Sequence, residues 1–389
     1  MASTIPLPAP LAAPLPTPAR AVEIPWYIWL SALAVTSAMV GVHWDISWHR
    51  SIGRDTFLTP AHIAIYLCGV LAGITCGYLI LSTTFGDSPL KETSVNIWGF
   101  RGPLGAFISA WGGFVMLASA PFDDWWHSAY GLDVKILSPP HIVLAVGMIA
   151  VEIGALILIQ SYRNRASAGT RSRLEGLFLY VAAMIMVALL VVSLELTNKV
   201  SMHRGGFYRV VCLLAPVVLA AVSKASGRRW AATITATIYT LFLLGFLWIL
   251  PLFPAQPKLG PVYHEVKFFI PAGFPLLIVF PSLALDLLWA RTPRWNAWLV
   301  SLASGFVFLA VLFALQWPFA DFLMSPAARN AVFGSAYLDY YSGPNSYQAR
   351  YAFLPSLNFW PEMALALLAA ILTTRFGFAW GAWMRDVRR

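Results

Sequence analysis

Apolar runs of about 20 residues recur along the whole chain, and this feature most narrows what the chain can fold into. Each run is long enough to cross a hydrocarbon core about 30 Å thick as an α-helix. Within that core every backbone N–H and C=O needs a partner, which leaves helices or a closed barrel. A barrel would need short strands of alternating polarity, and the sequence lacks them. The composition agrees, with 59% hydrophobic and 11% charged residues, against about 45–50% and about 25% in a soluble domain. The expected fold is all-α, a polytopic helical membrane protein in a lipid bilayer. About ten transmembrane helices are read near residues 24–49, 57–82, 103–122, 139–161, 174–196, 206–223, 229–251, 266–289, 296–317 and 358–379.

Orientation follows from Lys and Arg in short loops. SYRNRASAGTRSR at 161–173 carries four arginines, SKASGRR at 223–229 three basic residues, the 290–295 turn Arg291 and Arg294, and the C-terminus MRDVRR. With ten spans these fall on one side, which is then cytoplasmic together with both termini. This bias accounts for most of the net charge of +9, and basic residues scattered over separate loops give no nucleic-acid surface. Residues 1–23, rich in Pro and Ala, lack the basic and apolar regions of a signal peptide and read as a disordered cytoplasmic arm. Cys68, Cys76 and Cys212 sit inside spans, scattered, and form neither a disulfide framework nor a zinc motif.

Against this apolar background, HWDISWHRSIGRDTFLTPAH at 43–62 and DDWWHSAYGLDVKILSPPH at 123–141 are dense in polar groups, and they align with each other. Asp45 and Asp123 lie four residues before His49 and His127. Gly53 and Gly131 lie four after, Asp55 and Asp133 six after, and TPAH and SPPH close the two stretches at His62 and His141. The spacings are D-x3-H-x12-H and D-x3-H-x13-H, so the repeat duplicates ligand-capable positions. Asp and His at i and i+4 share a helix face. Gly then permits a turn, and Pro starts the next helix, where its missing N–H costs little. Each hairpin can thus bring one carboxylate and two imidazoles together, a set that suits copper, iron or zinc with open positions. Asp55 and Asp133 either fix an imidazole tautomer or pair with Arg54 and Lys135. His43, on a different helix face, is a further candidate. Trp48, Trp125 and Trp126 serve either as interfacial belt residues or as pocket lining.

The segment DISWHRSIGRDTFLTPAHIAIYLCG resembles the signature of the C subunit of particulate methane monooxygenase and ammonia monooxygenase, a copper membrane monooxygenase family. That family carries an Asp-x3-His-x12-His copper site on this hairpin, with the RDT and TP-x-H elements. The resemblance implies Asp45, His49 and His62 as copper ligands and catalytic groups. The family's second site is Asn-x3-His-x13-His. Asp123, His127 and His141 take those positions here, with Asp123 replacing Asn. The implied activity is oxygen-dependent hydroxylation of a small substrate, a hydrocarbon or ammonia, in a bacterial inner or intracytoplasmic membrane, with the metal toward the periplasmic face. Implied partners are A- and B-type subunits, a homotrimeric assembly and a quinol electron donor. The match covers about residues 24–165, a four-helix metal-binding module, and six further spans follow in 166–389. A non-catalytic copper-handling or structural subunit, and a proton or ion pathway, stay open as alternatives.

In the second half, Met202 and His203 fit either a copper access route or a polar helix end. The proline-rich stretch around His264, Glu265 and Lys267 suggests broken backbone that caps the cavity or forms a structural loop. Asp286 is expected to pair with Arg291 or to be exposed at the interface. Residues 318–360 form a long outer loop bearing Tyr337, Tyr340, Tyr341, Tyr347 and Tyr351, a lid or docking surface.

Overall fold

The computed structural model of the chain describes residues 23–131, 137–346 and 357–388. The protein is an all-α polytopic membrane protein. Among the described residues nine helices are long and apolar enough to span a bilayer. In chain order the helices are α1 (Trp26–Ser51), α2 (Pro60–Phe85), α3 (Leu104–Tyr130), α4 (Pro139–Arg165), α5 (Ala168–Val192), the one-turn α6 (Leu194–Thr197), α7 (Gly205–Ser226), α8 (Ala231–Ile249), α9 (Val279–Arg291), α10 (Ala297–Met324) and α11 (Phe359–Asp386). Between α2 and α3 a small hairpin pairs β1 (Val95–Ile97) with β2 (Phe100–Gly102).

α2 and α4 both begin on proline, as the motif spacing predicts. α3 runs past Pro121 to Tyr130, further than the expected end at 122, and so carries Asp123 and His127 on its last turns. α10 likewise passes Pro318 and ends at Met324, which shortens the expected outer loop. Part of that loop, including Tyr347 and Tyr351, lies outside the described residues, as do Asp133 and Lys135 of the second motif.

Small residues let the helices close on one another. A Cβ on Gly112 of α3 would sit 2.6 Å from the Gly147 carbonyl of α4, and one on Gly377 of α11 would sit 2.5 Å from the Val217 carbonyl of α7. Among the described residues the main buried apolar cluster runs from Ile28 to Met384, joining the first four helices to the rest, with two smaller clusters around Phe269 and Tyr340.

The expected eighth span, 266–289, is not one helix. Only α9 is helical, and residues 253–278 approach it as irregular backbone. Pro254, Pro257, Pro261, Pro271 and Pro275 each remove an N–H, so a continuous helical ladder cannot form there. At membrane depth irregular backbone needs protein partners. It finds them in Ser51 Oγ, which accepts from Ile270 N at 2.7 Å, in Ser47 Oγ, which donates to Ile270 O at 2.6 Å, and in Gln316 Oε1, which accepts from Leu277 N at 3.0 Å. Asp286 corrects another expectation. It is buried on α9 and accepts from both N (2.8 Å) and Oγ1 (2.7 Å) of Thr233, at the start of α8, instead of pairing with Arg291.

The arginine-rich helix ends gather at one end of the bundle. Arg163 donates to the carbonyls of Ala225 and Ser226, Asn164 to those of Met384 and Val387, and Arg165 to Thr93 Oγ1. The His-bearing ends of α1–α4 lie at the other end.

Candidate metal centre

Asp45 and His49 occupy successive turns of α1 and face the start of α2. His49 Nε2 is 3.7 Å from Asp45 Oδ2, and His62 Nε2, from across the hairpin, is 3.2 Å from Asp45 Oδ1. The loop between them adds a residue that the motif spacing left undecided. Asp55 Oδ2 lies 3.5 Å from His49 Nε2 and 3.2 Å from His62 Nε2. One ligand atom each from Asp45, His49 and Asp55 falls within a 4.8 Å set, and His62 closes it from the α2 side. Asp55 therefore faces the imidazoles directly instead of pairing with Arg54. Burial pushes its carboxyl upward, but hydrogen bonds and charge from His49 and His62 outweigh that and hold it well below the usual carboxylate range.

The second cluster repeats the arrangement on α3 and α4. Asp123 Oδ1 is 3.6 Å from His127 Nε2 and 3.5 Å from His141 Nε2, and the three residues again form a 4.8 Å set.

Both histidine tautomers on the first hairpin are fixed from behind. His49 Nδ1 donates to Gly53 O at 3.2 Å, and His62 Nδ1 donates to Thr56 O at 3.0 Å. In the second hairpin His127 Nδ1 donates to Gly131 O at 3.0 Å. A carbonyl can only accept, so each Nδ1 carries the proton and each Nε2 faces the carboxylates. Gly53 and Gly131 have φ of +88° and +86°, the left-handed side of the map that glycine reaches without penalty. That is the physical content of the His-x3-Gly repeat: the glycine turns its carbonyl back onto the histidine four residues earlier.

The spacing bears on whether these sets fit a metal. An N–H···O hydrogen bond closes to about 2.7–3.2 Å, and most of these Nε2–carboxylate distances are longer. Two ligands each about 2.1 Å from one ion stand about 3.0 Å apart at a right angle and about 3.4 Å apart at a tetrahedral angle. The observed 3.2–3.7 Å lies around and slightly above the tetrahedral chord. Asp45 Oδ1 is buried and faces His62 Nε2 at 3.2 Å. The residues fit a first-row metal with imidazole and carboxylate donors.

Both clusters line one cavity of about 830 Å³. Its walls come from far along the chain: Met148 and Val187 from α4 and α5, Met202, the irregular stretch Pro271–Leu276, and Tyr337, Tyr340 and Tyr341 from the outer loop. Of the proline-rich segment, Leu259 and Pro271–Leu276 line the cavity, whereas His264, Glu265 and Lys267 do not. His43 lies on the other face of α1, donates from Nδ1 to Met39 O at 2.9 Å and packs on Phe242 and Phe246, yet lines the same space. Met202 reaches the cavity and accepts a hydrogen bond at Sδ from Gln316, whereas His203 is turned to Asp321 at 2.9 Å and does not line it. Trp48 packs on Phe269 and donates to Arg54 O at 3.0 Å, so it braces the turn of the first hairpin.

The fold and these clusters define an integral membrane helical protein with two Asp/His sets facing one cavity. The chain matches no protein-family model, no curated protein and no solved structure.

Proposed function

We propose that both clusters bind copper and that the chain is a copper-dependent membrane monooxygenase component, which hydroxylates a small substrate such as a hydrocarbon or ammonia. The observation that carries this reading is the duplicated Nε2–carboxylate spacing of 3.2–3.7 Å, with imidazoles held from Nδ1 by backbone carbonyls. The motif resemblance over residues 24–165 supplies the reaction class. Asp45, His49, His62 and Asp55 hold one ion, and Asp123, His127 and His141 the other. Copper, when bound, supplies the redox chemistry. The protein keeps the imidazoles in the ligating tautomer, supplies anionic oxygens and surrounds the site with apolar walls that exclude water. The arginine-rich loops support a reading with the metal end periplasmic and both termini cytoplasmic. A- and B-type subunits and a quinol donor complete the enzyme in this reading.

Metal analysis of the purified chain tests it, with copper, iron and zinc offered in competition. About two copper ions per chain are expected, one lost in His49→Ala and the other in His127→Ala. No copper, or copper indifferent to both substitutions, rejects the metal assignment. Copper binding with no substrate-dependent oxygen uptake, in the presence of its partners and a quinol, leaves a copper-handling subunit instead of an enzyme.

A further inference from the structure

One buried acid takes no part in the metal clusters or in their support. Glu152 stands at the midpoint of α4, Pro139–Arg165. Its exposure is 0%, and among the described residues neither Oε1 nor Oε2 has a hydrogen-bond partner. Burial alone does not cause that. Asp286 and Asp339 are also buried, yet Thr233 and Arg50 hold them. An acid within a membrane span is costly and by default marks a functional site, such as a proton relay. With no donor to stabilise a carboxylate, the group carries its proton at rest.

The place of Glu152 on the helix says which way that proton can leave. α4 lines the cavity with Pro140, His141, Leu144, Ala145 and Met148, one face that repeats at three and four residues. Glu152 is the next position on that face, about 6 Å along the axis beyond Met148 and about 17 Å from His141. Met148 is unbranched and adaptable, so its side chain can swing out of the way. On the far side Ala155, Leu156, Ile157, Leu158 and Ile159 are all buried and apolar, and they give a proton no side chain to rest on.

The helices packed around α4 supply no counter-charge at this depth. On α3, residues 104–122 hold no ionisable side chain, and on α5, residues 176–192 hold only Tyr180. On α1 there is none in 28–42, below His43, and α2 contributes the buried thiols Cys68 and Cys76. α11 meets α4 two turns further on, at Gln160 and Asn164, and its Arg375 lies over the Trp298 ring.

We propose that Glu152 is a proton donor and acceptor for the cavity, exchanging past Met148 with the metal-bearing face and closed to the opposite face by Leu156 and Ile159. The carboxyl O–H bond breaks, the proton passes to a water molecule in the cavity, and the carboxylate left behind is reprotonated from the same side. The inference needs neither metal nor turnover, so it is separate from the copper reading.

Infrared difference spectroscopy of the metal-free full-length chain tests it, through the C=O stretch that only a protonated carboxyl shows. At neutral pH that band should be present, should move when the glutamates carry carbon-13 carboxyls, and should vanish in Glu152→Gln. Glu152 is the one fully buried glutamate among the described residues, so the isotope identifies it on the unmodified chain even if Glu152→Gln fails to fold. Transfer to heavy water should shift the band, and Met148→Trp, which overfills the route, should slow that shift about tenfold. In proteoliposomes holding a proton gradient, the parent chain should leak no faster than Glu152→Gln. The proposal is overturned by the absence of a glutamic-acid band, by a band that does not shift in heavy water, by exchange indifferent to Met148→Trp, or by a proton leak that Glu152→Gln abolishes.

Discussion

Gly53 turns its carbonyl oxygen onto Nδ1 of His49, four residues earlier, at 3.2 Å, and it does so from a φ of +88°. Gly131 repeats this toward His127 at 3.0 Å from a φ of +86°. Partners behind a ligating histidine typically change metal affinity about 10–100-fold when lost. Gly131→Ala isolates the backbone effect, because among the described residues nothing lies within 4 Å of its added Cβ. It should weaken the second metal by that factor and leave the first unchanged, as read by chelator competition. Gly53→Ala adds a clash with the Tyr340 hydroxyl. Combining it with Tyr340→Ala, which removes both the hydroxyl and the ring carbon that the Cβ would meet, should relieve the clash but not the affinity loss. Full affinity in Gly131→Ala would show that the carbonyl contact does not position the ligand.

Asp55 distinguishes the structure from the bare motif. If Asp45, His49 and His62 sufficed, Asp55→Asn would alter metal binding little. Because Asp55 Oδ2 stands 3.2–3.5 Å from both imidazoles, its replacement should weaken the first site about 10–100-fold and spare the second. Chelator competition at each site, with the other disabled, reads this directly. Equal affinity for the variant and the parent chain would return Asp55 to a loop residue.

Arg50 ties the first hairpin to the outer loop. It pairs with Asp339 at 2.7 Å and donates to Pro271 O, and the Asp339 side chain is only 6% exposed. Arg50→Met removes the ion-pair partner of that buried carboxylate and leaves it the Tyr341 hydroxyl and the Lys199 charge, which should destabilise the fold by about 1–3 kcal/mol. The double variant Arg50→Met/Asp339→Leu should recover most of the loss. Denaturant unfolding in mixed micelles gives both values, and a double variant no better than the single one contradicts the pairing argument.

What the sequence made legible was local. Asp45 and His49 share a face because 3.6 residues make a turn, and Pro60 and Pro139 start helices for a reason contained in their own rings. The duplicated spacing pointed to both clusters before any coordinate was known. Asp55 was ambiguous because its direction depends on a turn without periodicity. The cavity was legible only as open alternatives for Met202, the proline-rich stretch and the tyrosine loop, because Pro271, Met202 and Tyr340 reach it through contacts across more than 150 residues of chain. Prolines at 254–275 signalled a broken span, but not that Ser47, Ser51 and Gln316 would satisfy its backbone. Thr233 as the partner of Asp286 has no local signal either, since the two stand 53 residues apart.

Lys199 gives a pH dependence of known sign. Its folded value of about 8 lies below the ordinary 10.5, because burial and the charges of Arg50 and Arg329 outweigh Asp339. Between about pH 8 and 10.5 the unfolded chain holds this proton and the folded chain does not. Stability therefore rises with pH across that window and is flat for this group below it. The difference between the parent chain and Lys199→Met isolates the effect of this group. In the ligand-free protein, the thermal midpoint of the variant should exceed that of the parent below pH 8 and converge with it as pH rises toward 10.5. A parent-minus-variant difference that does not change with pH would mean that Lys199 keeps its ordinary affinity for its proton, and that the positive charge around it is already neutralised within the fold.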